Sequence, residues 1–157
     1  MTPAMRQVVF INAAHTFTHY CLLILATAVL AMVTQDPAIF GGDFGPVLTL
    51  GTTMFITYGL GALPMGWLAG KFGRRVVMTS FFLGTGFFMA MTGFMNTPMA
   101  VGLSLGLMGC FAAVYHPIGT AVLVEAAGEK VGRAMGINGV FGNFGVATAP
   151  IVTAFVA

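Results

Sequence analysis

Between Arg6 and Asp36 the chain carries no formal charge for 29 residues, and the gaps after Asp43, Arg75 and Arg133 run for 27, 49 and 24 residues. A membrane-spanning helix needs about 20 apolar residues, so each of the runs of 24 to 29 holds one. The 49-residue run holds two, and Asn96-Thr97-Pro98 near its middle supplies turn chemistry. Five spans result, at about 8–33, 47–70, 76–95, 99–124 and 134–157. The expected fold is therefore an all-α polytopic membrane protein. Only 6% of the 157 residues are charged, against about 25% in a soluble domain, which excludes a soluble globular fold. A β-barrel would show alternating segments of about 10 residues, and these runs show none.

The charges that remain set the direction of the chain. Five spans put the N-terminus, the loop at Lys71 to Arg75 and the loop at Glu125 to Arg133 on one side, and Asp36, Asp43 and the Asn96 turn on the other. All six basic residues fall on the first side. Short loops rich in Lys and Arg stay cytoplasmic, so a multi-pass protein of the inner (cytoplasmic) membrane with a cytoplasmic N-terminus is expected. Arg6, the following apolar run and Ala26-Thr27-Ala28 imitate a cleavable signal peptide, but the run is too long for one and continues past the cleavage point.

Cys21 and Cys110 both sit inside spans, where a thiol acts as a small apolar group. The 22 glycines are more informative. Gly66 with Gly70, Gly102 with Gly106, and Gly132 with Gly136 have the four-residue spacing that lets helix backbones approach closely.

The loop between spans two and three is the most specific feature. Gly66-Trp67-Leu68-Ala69-Gly70-Lys71-Phe72-Gly73-Arg74-Arg75-Val76-Val77-Met78 resembles the cytoplasmic loop motif of the major facilitator superfamily, Gly-x-Leu-Ala-Asp-x-x-Gly-Arg-Arg/Lys-x-x-Met/Leu. Gly73 permits a sharp reversal, and Arg74 and Arg75 anchor the loop and can engage helix C-termini or carboxylates. Gly70 stands where the family has its Asp, so the salt-bridge latch of that Asp is missing or supplied elsewhere. The resemblance implies a gating role for Gly66, Gly70, Gly73, Arg74 and Arg75, and a chain covering the first five helices of an N-terminal six-helix bundle. The sixth helix and the C-terminal half would lie beyond Ala157.

Span five carries a looser match. Gly136, Gly145, Ala149-Pro150 and Thr153-Ala154 resemble the Gly-x8-Gly-x3-Gly-Pro-x2-Gly-Gly motif of the superfamily's drug/proton antiporters, with three glycines replaced. Pro150 removes a helix hydrogen bond and bends the helix. Val114-Tyr115-His116-Pro117, Gly132-Arg133 and Gly142-Asn143-Phe144-Gly145 resemble the fosmidomycin-resistance branch, whose members are proton-driven efflux proteins and relatives of unassigned substrate.

Inside the spans, polar side chains are few. Asn12, His15, Thr16 and His19 are spaced i, i+3, i+4 and i+7, which puts all four on one helix face. His15 lies nine residues from Arg6, and His116 nine from Glu125. At about 1.5 Å per residue both sit roughly 13 Å from the cytoplasmic charges, the same depth, so that His15, His19 and His116 could meet if spans one and four line one cavity, as the resemblance implies. The resemblance implies that spans one and four line a central cavity, with Asn12, His15, His19, Tyr115, His116 and Asn143 as its candidate lining. Ionisable groups at membrane depth are functional candidates by default. No Asp or Glu falls inside a span, which leaves histidine, titrating near neutral pH, as the acid/base group. The alternative for each imidazole is a plain hydrogen bond to a neighbouring helix. His15 and His19 also have i, i+4 ligand spacing, but with no carboxylate or further ligand nearby no metal is expected.

No Ser/His/Asp arrangement, phosphate loop or nucleotide motif is visible, and three histidines are too few for a membrane di-iron or bis-haem enzyme. The expectation is thus not an enzyme but a secondary transporter exporting a small molecule by alternating access with proton coupling. An uptake symporter or facilitator, and a truncated non-transporting assembly subunit, are the alternatives. Its partners would be the small-molecule substrate, protons, the lipid bilayer and the C-terminal half, with no cofactor and no nucleic acid.

Overall fold

The computed structural model describes residues 1–156; Ala157, the last residue of expected span five, lies outside them. Helix accounts for nearly all of the described chain, in nine α-helices with one π turn and one 3-10 turn, and no strand among the described residues. The first span is a single helix, α1 (Pro3–Gln35), started by Thr2, whose hydroxyl accepts the Met5 amide at 3.2 Å. Two short helices follow, α2 (Pro37–Phe40) and α3 (Phe44–Thr49), the latter capped by Asp43. Pro37 at the first position of α2 stops continuation of α1, since its ring disfavours helical backbone before it.

The second span differs from the straight helix expected over residues 47–70. It consists of α4 (Gly51–Gly61) and α5 (Met65–Phe72), and the segments Phe44–Gly61 and Met65–Phe72 meet at 60°. Pro64 sits at the break. A proline there has no N–H for the Leu60 carbonyl and its ring collides with that carbonyl, so the helix turns instead of continuing. Gly73 then reverses the chain with φ at 85°, a left-handed conformation that costs glycine little.

The third span is α6 (Arg74–Thr92). Thr97 caps α7 (Pro98–Ala112) through the Ala100 amide at 3.3 Å, with Pro98 in the first turn, as the Asn96-Thr97-Pro98 turn anticipates. A π turn, Tyr115–Gly119, links α7 to α8 (Thr120–Ala127), and a 3-10 turn, Gly128–Lys130, leads into α9 (Val131–Val156). The apolar stretch Pro98–Val156 is 59 residues long, far more than one crossing needs. It is folded back on itself at Gly128, where φ is 54°. The Tyr115 hydroxyl lies 3.2 Å from Oδ1 of Asn138, whereas 23 residues of straight helix would separate them by roughly 34 Å.

Packing follows the polar and small residues. The helix α1 lies along α9, and α7 is held between α4 and α6. Gly102 and Gly106 face Thr53 and Thr57, whose hydroxyls donate across the seam to the Gly102 and Gly106 carbonyls at 2.7 and 2.6 Å. At Gly109 a Cβ would collide with the Met54 carbonyl oxygen, and at Gly84 with the Phe111 ring. The other two glycine pairs do not act this way: Gly66, Gly70, Gly132 and Gly136 have nothing within 4 Å of a built Cβ. A core of Ile11, Met78, Phe81, Tyr115 and Leu123 fills one end, and one of Leu22, Leu25, Met54, Leu105 and Met108 the other. Large apolar side chains such as Leu83, Phe87, Leu103, Phe144 and Phe155 point outward from every long helix, the surface a lipid-facing bundle requires.

Candidate functional site

One turn of α1 brings His15 and His19 onto the same face, and the π turn presents His116 to both. Their ligand-capable nitrogens all lie within 4.8 Å of one another. The bonding around His15 fixes which nitrogen does what. Its Nδ1 is 2.7 Å from the Asn138 carbonyl oxygen and can only donate there. Its Nε2 is therefore an acceptor, and the Nε2–H of His19 donates to it at 3.0 Å. Tyr115 stacks on the His15 ring with centroids 4.8 Å apart, and His116 stands edge-on to His15 and His19 at 5.4 and 5.7 Å. His15 is buried, while His19 and His116 are partly exposed. Histidine pairs with a defined donor and acceptor can pass or share a proton.

The local fold explains how His116 gets there. Pro117 cannot donate to the Ala113 carbonyl, so regular winding fails at this point and the π turn takes its place. Thr120 returns its hydroxyl to the His116 carbonyl. Gly119 lies under the Tyr115 ring, 2.8 Å from where a Cβ would stand, so a larger residue would displace that ring from His15.

Beside the histidines is a hydrogen-bond hub that the sequence reading missed. Asn138 on α9 donates from Nδ2 to Asn12 Oδ1 and to the Tyr115 hydroxyl, both at 2.9 Å, while its own carbonyl holds His15. The Tyr115 hydroxyl also reaches the Ile11 carbonyl at 3.3 Å. Asn12 is thus sealed between helices, only 4% exposed. Asn143, expected in the lining, is exposed on another face of α9 and is not brought to the histidines. The signal that marks Asn138 is its place in the stripe Asn138, Gly142, Gly145, Ala149, Thr153, all buried. Gly142 lies beneath the His15 ring, with Cβ room of only 2.6 Å, and Gly145 lies against the Thr16 carbonyl. Thr16 donates in turn to the Phe141 carbonyl at 2.8 Å. Gly145 is therefore the close-contact glycine of the antiporter-like pattern. Gly136 is open, and α9 runs unbroken through Pro150.

Near the charged end, Arg74 pairs with Glu125 at 2.5 Å. This joins the start of α6 to α8. The hydrogen bond and charge of Arg74 hold the Glu125 carboxyl below its ordinary value, and Glu125 holds the Arg74 guanidinium above its own. Both side chains are largely exposed. A cavity of about 690 Å³ opens here, lined by Gln7, Phe10, Arg74, Arg75, Met78 and Glu125. Of the remaining loop residues, Lys71 lies 5.2 Å over the Trp67 ring.

No curated protein and no solved structure matches the chain. The sequence profile of the Major Facilitator Superfamily matches residues 9–157, nearly the whole length. With that match over nearly its whole length, the chain belongs to the Major Facilitator Superfamily, a family of membrane transporters.

Proposed function

We propose that the chain forms the N-terminal part of a secondary transporter that exports a small molecule across the cytoplasmic membrane in exchange for protons. The observation that carries this reading is the gathering of His15, His19 and His116 within 4.8 Å, in spans that hold no carboxylate. A buried imidazole with its Nε2 lone pair turned toward a second, partly exposed imidazole has the donor and acceptor arrangement needed to take up and release a proton. If the chain crosses five times, as its uncharged runs lead one to expect, all six basic residues fall on one side, which supports a cytoplasmic N-terminus. Alternating access would rock this bundle against a second half, with Arg74 and Glu125 closing its cytoplasmic end.

The test is accumulation of a panel of labelled drugs, fosmidomycin among them, in cells expressing the complete protein, with and without a protonophore. Lower accumulation that the protonophore and His15→Gln each reverse supports proton-driven export. Higher accumulation reassigns the protein to uptake. Accumulation equal to that of cells lacking the protein, for every drug, removes the transport reading.

A further inference from the structure

The three histidines have a second chemical capability that the sequence alone argued against. We propose that His15, His19 and His116 form a binding site for a divalent first-row transition metal, with Zn²⁺ as its foremost occupant and a fourth coordination position left open.

Geometry is the first support. Two nitrogens bound at about 2.0–2.1 Å to a tetrahedral Zn²⁺ stand roughly 3.3 Å apart. The Nε2 atoms of His15 and His19 are 3.0 Å apart, and no pair among the three residues exceeds 4.8 Å. Movements of roughly 1 Å close the set around a metal, and the partly exposed His19 and His116 are the side chains free to make them. His15 and His19 contribute the i, i+4 spacing expected on a helix, and His116 adds the third ligand that the linear sequence could not place beside them.

Support also comes from the atom behind the site. A metal-bound histidine nearly always donates its other N–H to a carbonyl or carboxylate, which fixes ring and tautomer. His15 does this already: Nδ1 donates to the Asn138 carbonyl at 2.7 Å, and Nε2 presents its lone pair to the cluster. Metal binding requires His19 to give up the Nε2 proton that it now shares with His15. That proton moves through water to its Nδ1, so no net proton is lost.

Ligand type sets the choice of ion. Three neutral imidazoles, with no carboxylate joining them among the described residues, suit Zn²⁺, Co²⁺, Ni²⁺ or Cu²⁺ and disfavour the oxygen-seeking Mg²⁺ and Ca²⁺. Three protein ligands leave one position for water or a substrate atom. The Tyr58 ring packs edge-on to that of His116 with centroids 6.0 Å apart, and its buried hydroxyl has no hydrogen-bond partner.

The site stands on the bundle geometry and does not need the transport reading. The experiment titrates Co²⁺ into the complete, detergent-purified protein, made with a tag free of histidine and stripped by chelator. The expected result is one equivalent of Co²⁺ with the intense visible bands of four-coordinate cobalt, displaced by Zn²⁺ and untouched by excess Mg²⁺. His19→Gln and His116→Gln, both at partly exposed positions, should each weaken binding about tenfold or more while circular dichroism and elution volume stay unchanged. Absence of the bands, their survival in the double variant, or a thiolate charge-transfer band from Cys21 or Cys110 overturns the proposal. Proton-driven export without Co²⁺ binding would overturn it and leave the transport reading intact.

Discussion

The Nε2 atoms of His15 and His19 face each other at 3.0 Å, and only one of them can hold the proton between them. Because the His15 Nδ1 is committed to the Asn138 carbonyl, that proton belongs to His19 in the neutral pair. Asn138, Tyr115 and Gly142 enclose His15 in this orientation.

Asn138 is the first place to test it. Asn138→Ala leaves Asn12 and the Tyr115 hydroxyl short of a buried partner, at a cost of about 1–3 kcal/mol. Thermal unfolding in detergent should show that loss. Combining it with Asn12→Ala should cost less than the two single losses added, since the two side chains share one hydrogen bond.

Two glycines of α9 should respond in opposite directions to the same substitution. Gly145→Ala drives a methyl into the Thr16 carbonyl and should destabilise by about 1–3 kcal/mol as α1 is levered off α9. Gly136→Ala meets nothing and should stabilise by up to about 1 kcal/mol through helix propensity. Equal effects in the unfolding assay would refute the packing described for α9.

Access along α1 provides a third check. With Cys21 and Cys110 replaced by serine, His19→Cys should react with a water-soluble thiol reagent, because its position is partly open. Asn12→Cys should stay unreactive, since that position is 4% exposed. Labelling of the second and protection of the first would place the polar face of α1 the other way round.

The Arg74–Glu125 pair has a pH dependence whose sign is determined. The carboxyl of Glu125 is held below its ordinary value by Arg74, so its contribution is complete above the ordinary glutamate range and is lost as pH falls through the lowered value. A carbon-13 titration of the Glu125 carboxyl should place its midpoint below that of a free glutamate. Arg74→Gln or high salt should move the midpoint back up.

Much of this arrangement was legible in the chain because charge is so costly inside a bilayer. The uncharged runs, the Thr97-Pro98 start of α7 and the Gly73 reversal all follow from single-residue physics. Equal distances of His15 and His116 from flanking charges placed them at one depth. Four features escaped for identifiable reasons. Pro64 sat inside an apolar run that length alone made look continuous, so the 60° break was missed. Asn138 is uncharged and surrounded by glycines, and only the face it shares with Gly142 and Gly145 reveals it. Asn143, five residues further on, is turned by about 140° at 100° per residue, which is why proximity in sequence misled. Glu125 was read as a topological marker because its partner Arg74 is 51 residues away.

The Thr53 and Thr57 hydroxyls clasp α4 to α7 without a single titratable atom. Neither acid nor ionic strength has any purchase on such a joint. Whatever the pH, the α4–α7 seam keeps the same two clasps.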